Sequence, residues 1–185
     1  RVILYQWTSQ KNLNLDLLLF GVFCIGFIIS VVGVLLLNQR WYGWADVAVG
    51  IGLGFGSFAA NAVLHKGFSV GKASLISVLA GLTPLFVLIF AFLIWNETLT
   101  SIQLIGFVII FCGLCILRYS SDISIDNLKG AQWGLLAALC FTFTDLMGKQ
   151  STLLEADVFA TLTSMFGFGS FLFAMRWLAT VSYTH

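Results

Sequence analysis

The sequence predicts an all-α membrane protein, a polytopic helical bundle, and three observations carry that reading. First, hydrophobic residues make up 59% of the 185 residues and charged ones only 9%, where a globular domain is near 45–50% apolar and about 25% charged. Second, the apolar residues fall in stretches of about twenty, the length of helix that crosses a hydrocarbon core. Third, the six tryptophans, Trp7, Trp41, Trp44, Trp95, Trp133 and Trp177, lie at the ends of those stretches, where an amphipathic indole sits at headgroup level.

Six spans follow, at about 15–37, 45–64, 72–95, 101–118, 131–149 and 157–179. Segment 79–95 alone holds eleven Leu, Ile, Phe or Val residues, so its insertion into a bilayer is favoured by about 3–7 kcal/mol. The turns expected at 38–44, 65–71 and 96–100 are short, which packs successive helices side by side. The longest polar stretch, SSDISIDNLKG at 120–130, reads as the boundary between two parts, 1–119 and 131–180. Thr100 and Gln103 have capping-box spacing, with the hydroxyl accepting from the Gln103 amide and the Gln103 side chain reaching back to the Thr100 amide. The opening RVILYQW is too short to cross a bilayer and reads as the tail of a span that begins upstream, so the sequence is expected to be a fragment. The closing VSYTH at 181–185 is expected to be a non-native tail, and Tyr183 and His185 receive no role.

Several function classes lose their footing here. A net charge of +1 without a basic run gives no phosphate-binding surface. Cys24, Cys112, Cys115 and Cys140 all sit in apolar runs, so they form no secreted disulfide framework. The Cys112-Gly-Leu-Cys115 spacing lacks the second pair or histidine that zinc needs. The glycine-rich string GIGLGFGS at 50–57 lacks the strand before it that a dinucleotide site requires. Instead Gly50 with Gly54, and Gly52 with Gly56, have the small-xxx-small spacing that lets helix backbones approach in lipid. GFGSF recurs at 167–171, but neither copy is a nucleophile elbow. No metal, cofactor or enzymatic chemistry is expected.

Polar residues at membrane depth mark pathways, because they are expensive there. The candidates are Asn61, His65, Lys66, Ser74, Ser77, Asp145 and Lys149, with Asp145 and Lys149 four apart on one helix face; Lys72 falls beside them. Pro84, the single proline, removes a backbone donor within the span 72–95 and clashes with the carbonyl of Ala80. That carbonyl must then find another partner, and the bend either lines a substrate path or serves packing alone. Glu97 falls in the turn before Thr100, where a carboxylate favours the next helix N-terminus.

Residues 61–117 resemble one half of an EamA-type transporter of the drug/metabolite transporter superfamily. The resemblance rests on HKGFSVGKAS, then LISVLAGLTPLFVLIFAFLIWNETLT, then QLIGFVIIFCGLCIL. The pattern has hydroxyl or small residues (Ala73, Ser74, Ser77), the proline (Pro84), the glutamate (Glu97), and a glycine-containing span introduced by glutamine (Gln103, Gly106, Gly113). The resemblance implies ten spans in two inverted five-helix repeats, of which six are present here, the second to the seventh. It also implies a central substrate cavity and alternating access. A weak internal echo fits: Asp16 followed by Ile25-Gly-Phe27, and Asp157 followed by Phe166-Gly-Phe168, at matching offsets.

Lys11, Lys66, Lys72, Arg118 and Lys129 fall on one side and Arg40 and Lys149 on the other, so positive-inside reasoning opposes the orientation the family order implies. The expected function is secondary transport of a small organic metabolite or drug across the plasma membrane. The expected partners are the lipid bilayer, the small-molecule substrate and a coupling ion, without nucleic acid. The alternative is a non-transporting polytopic membrane subunit with an assembly or sensor role, which would keep a dry interior with every polar group paired.

Overall fold

The computed structural model describes residues 15–38, 43–98, 100–119 and 130–182. Among these residues the regular structure is entirely helical, in seven helices: α1 Leu15–Leu36, α2 Trp44–Val70, α3 Ala73–Ala80, α4 Thr83–Trp95, α5 Ser101–Tyr119, α6 Ala131–Leu153 and α7 Val158–Ser182. The expected span boundaries at 120–129 and beyond 182, and residues 1–14, lie outside the described residues.

Among the described residues four segments are long and apolar enough to cross a membrane: Asp16–Leu36, Trp44–Val70, Ala73–Trp95 and Val158–Thr180. The apolar part of α5 covers Ser101–Gly113. Helix α6 has 23 residues, but it interleaves Gln132, Thr142, Thr144, Asp145, Lys149 and Gln150 with its apolar ones.

Local chemistry sets the helix ends. Asn38, Asn96 and Glu155 have positive φ after α1, α4 and α6, and the Asn96 amide donates to the Phe92 carbonyl at 2.8 Å, a left-handed stop. Helix α5 opens with the capping box expected from sequence: the Thr100 amide donates to Gln103 Oε1 at 2.9 Å, and the Gln103 amide lies 3.5 Å from Thr100 Oγ1. Gly130, at φ +92, enters α6, and a Cβ there would lie 3.0 Å from Gly71 Cα. Only glycine combines that backbone angle with that approach.

One boundary differs from the sequence reading. Residues 65–70, expected in a turn, continue α2 to Val70, and the Gly71 amide still donates to Gly67 at 2.9 Å. Nothing before Gly71 breaks the helix. At 27 residues it is about 40 Å long, roughly 10 Å more than a hydrocarbon core.

The chain divides into two compact units, Arg1–Ala59 with Met147–His185, and Ala60–Leu146. In the first, α1 and α7 run antiparallel along a tight seam, and α2 lies parallel to α7. Phe23 meets Phe166 at 5.5 Å and Phe173 at 5.1 Å between ring centroids, and Phe58 meets Phe173 at 4.9 Å. Glycines set the spacing. A Cβ on Gly26 would lie 2.7 Å from the Phe166 ring, and Cβ atoms on Gly33 and Gly169 would collide with Phe159 and Phe23. On α2, Gly50 and Gly54 face α7 main chain, each 2.6 Å from a carbonyl oxygen (Thr161 and Met165) if given a Cβ. Gly52 faces the flexible Met147 side chain, and Gly56 is buried.

In the second unit, Ile76 of α3 is fully buried where α3 meets α2 and α6. A Cβ on Gly67 would lie 3.1 Å from its side chain, and one on Gly134 would lie 3.2 Å from its Cα. The buried stripe of α6, Gly134, Ala137, Ala138, Thr142 and Leu146, has the helical spacing of one face.

Candidate functional site: the broken span at Pro84

The span expected at 72–95 is two helices. Helix α3 ends at Ala80 and α4 begins at Thr83, with Pro84 in its first turn. Pro84 therefore starts a helix instead of bending one, a place where its missing amide costs nothing. The main chain negotiates the break by short bonds: Gly81 donates to Ser77 at 2.9 Å, Leu82 to Leu79 at 3.1 Å, and Leu85 to Leu82 at 3.0 Å.

The Ala80 carbonyl, expected to be freed, is taken by a hydroxyl. Thr83 Oγ1 donates to it at 2.7 Å, the repair a bilayer demands of an interrupted helix. The Thr83 carbonyl in turn lies 3.5 Å from Thr142 Oγ1 of α6, which donates at 2.8 Å to its own Ala138 carbonyl. Thr142 is 1% exposed. Just before the break, Ser77 Oγ is buried and has no hydrogen-bond partner, an uncompensated cost. Pro84 itself, with Gly81, Leu85, Phe107 and Phe111, lines a shallow apolar groove between α4 and α5. The groove at the break is thus apolar, and the polar groups lie on the α3 and α6 side.

The predicted path residues spread over this unit. Asn61 of α2 is buried at 4% exposure. His65, one turn on, is half-buried, and Lys66 is exposed at a carbonyl that accepts from Ser69 Oγ at 2.8 Å. Ser74 and Lys72 are exposed beside Ser77. Asp145 is exposed on α6 and Lys149 half-buried one turn later, the latter belonging to the other unit. Glu97 is exposed in the turn after α4. A Cβ on Gly106 or Gly113 of α5 would meet no heavy atom of a neighbouring element within 4 Å. Among the described residues no group of three or more His, Cys, Asp or Glu could hold a metal, and Cys24, Cys112 and Cys140 are free thiols.

Residues 2–119 match the model of the EamA-like transporter family. The chain belongs to that family. No curated protein and no solved structure matches it. The matched segment takes in the Pro84 break and the Thr100 capping box of this EamA-family chain.

Sequence reading missed the residues that close the break. Thr83 stands directly before the proline, a position from which a hydroxyl reaches the carbonyl three residues back, and that adjacency was the available signal. Thr142 had no signal, since its link to Thr83 spans 59 positions. Also missed was Asp46, 5% exposed, whose Oδ1 accepts from the Asp157 amide at the start of α7 at 3.0 Å. Its carboxylate thereby sits at the positive ends of α2 and α7 together. Asp16, which in the sequence stands out only through the internal echo, pairs with Arg176, Nε to Oδ2 at 3.2 Å.

Proposed function

We propose that this EamA-family protein is a secondary transporter that moves a small organic metabolite or drug across the plasma membrane by alternating access, without ATP hydrolysis or covalent chemistry. The observation that carries the reading is the broken span. Discontinuous helices with polar groups beside the break are how transporters present a site at membrane depth. Here the break is flanked by Ser77, whose buried hydroxyl has no partner, and by the buried Thr142. The buried polar side chains of this unit, Asn61 and Thr142, are neutral, while Lys66, Lys72, Glu97 and Asp145 are exposed. That division favours a substrate held by hydrogen bonds and apolar contact over one held by an ion pair. A coupling ion would drive the cycle, and the bilayer is the remaining partner.

The unpartnered Ser77 hydroxyl beside the break supports transport over a dry, fully paired interior; Thr161 Oγ1 of α7 is the other buried hydroxyl without a partner among the described residues. The test is flux in membrane vesicles carrying the full-length gene product, over a panel of labelled metabolites and drugs. Saturable flux above empty vesicles is expected, with Asn61→Ala and Ser77→Ala each changing KM or rate. Flux equal to that of empty vesicles for the whole panel would leave the subunit reading in its place.

A further inference from the structure

The seam between α1 and α7 repeats every seven residues. Phe159, Phe166 and Phe173 stand seven apart on α7, and Leu19, Gly26 and Gly33 seven apart on α1. Phe159 fills the notch at Gly33 and Phe166 the notch at Gly26, while Phe23 of α1 fills the opposite notch at Gly169. This is the knobs-into-holes spacing of a supercoiled pair. Its ring-in-notch contacts are apolar, and the hydroxyls of Ser30, Thr163 and Ser170 donate to carbonyls of their own helix. In lipid no hydrophobic force holds such a seam shut, so packing and polar contacts must do so.

The two ends of α7 are held differently. At its start, the Asp157 amide is tied to Asp46 of α2, and the α7 main chain lies against Gly50 and Gly54. That contact is backbone-close and cannot yield without moving helices. At its far end, α7 is tied to α1 by two side chains, Arg176 at 34% exposure and Asp16 at 13%. Arg176 is about one-third exposed and Asp16 keeps a smaller exposed edge, so parting them costs less than breaking a fully buried pair.

We propose that the Asp16–Arg176 pair is a releasable latch: α7 is anchored to α2 at its N-terminal end, and the α1–α7 seam opens at the Arg176 end when the pair parts. The conformational role rests on the transporter reading, since a carrier that works by alternating access must open a path at one end at a time. Leu19, 7% exposed and one turn inside Asp16, is the first seam layer that such opening wets.

The test is the labelling rate of Leu19→Cys by a membrane-impermeant thiol reagent, in the full-length protein with Cys24, Cys112, Cys115 and Cys140 replaced by Ser and without any substrate. Water must reach a thiol before it ionises and reacts. Asp16→Asn and Arg176→Gln are each expected to raise the rate about threefold to fivefold, the population shift that loss of a partly exposed ion pair gives. The reversed pair, Asp16→Arg with Arg176→Asp, is expected to return it to the parent value. Arg176→Lys, which keeps the charge, is expected to stay near the parent. Labelling in both neutral variants equal to the parent, with only the melting temperature lowered, would make the pair a static staple and overturn the latch. A reversed pair that labels as fast as the single variants would overturn it as well. Because the readout needs no substrate, a protein without flux but with this labelling pattern would retain the latch and lose the transporter reading.

Discussion

The α1–α7 seam and the α4–α5 pair are both apolar in sequence and are built on opposite rules. Along the seam, glycine is a notch: Gly26, Gly33 and Gly169 each receive a phenyl ring, and Phe173, packed between Phe23 and Phe58, is fully buried. Along α5, Gly106 and Gly113 face open space, and α4 has no buried residue at all. The difference shows that glycine content does not mark a helix contact in a membrane protein. What marks it is a large side chain at the matching register of the facing helix, since small residues act only by letting something approach. Exposed Ile, Leu and Phe on α4 and α5 are what lipid requires; buried ones beside glycine are what a helix pair requires.

The strongest way to break this comparison is to fill the notches. Gly50→Leu or Gly54→Leu puts carbon atoms onto the main chain of α7, where no side chain can swing aside. Overpacking in a tight core costs about 1–3 kcal/mol and more when backbone must move, so both variants are expected to fall several degrees in melting temperature in detergent, or to fail to accumulate. Gly52→Leu is expected to be milder, because Met147 is flexible and gives way. Equal losses at Gly50 and Gly52 would mean that the spacing of small residues, and not what they face, decides the packing.

A smaller effect is expected at the break. Thr83→Val keeps shape and removes the hydroxyl that holds the Ala80 carbonyl. Leaving that carbonyl unpaired costs about 1–3 kcal/mol, which thermal unfolding in detergent reads directly. Pro84→Ala is expected to change stability by less than about 1 kcal/mol, because the proline stands in a helix's first turn; a proline inside a continuous helix would instead be worth about 3 kcal/mol. A large gain from Pro84→Ala would show that the proline itself, and not Gly81 and Leu82, interrupts the span.

Most helices were legible in the sequence because apolar length and caps are local matters, although the end of α2 and the break between Ala80 and Thr83 were not. Apolar length marked the spans, and the Thr100 and Gln103 pair marked the start of α5 to the residue. The continuation of α2 to Val70 was not legible, because the polar run from His65 looks like a turn while nothing in it breaks a helix. The site was less legible still. Ser77 and Asn61 could be picked as polar groups at depth, but that Thr83 repairs the break depends on a rotamer, and that Thr142 supports it depends on a contact between distant positions. The same holds for Asp46 and for Asp16 with Arg176: charges near span ends are ordinary as sequence, and become specific only when folding sets a helix start or a guanidinium beside them.

The smallest expected effects lie on α5 and sharpen the contrast from the other side. A Cβ on Gly113 would meet no neighbour within 4 Å, and Gly113→Leu replaces a poor helix former with a good one, so a gain of up to about 1 kcal/mol is expected. Gln103→Ala removes one half of the capping box and is expected to cost about 0.5–1 kcal/mol. Because the cap satisfies orphan amides only in the first turn, that loss should appear as faster hydrogen exchange at the start of α5 and leave exchange along α1 and α7 unchanged. A Gly113→Leu variant that loses stability would reveal a partner helix on this open face, and with it a second glycine notch of the kind that joins α1 to α7.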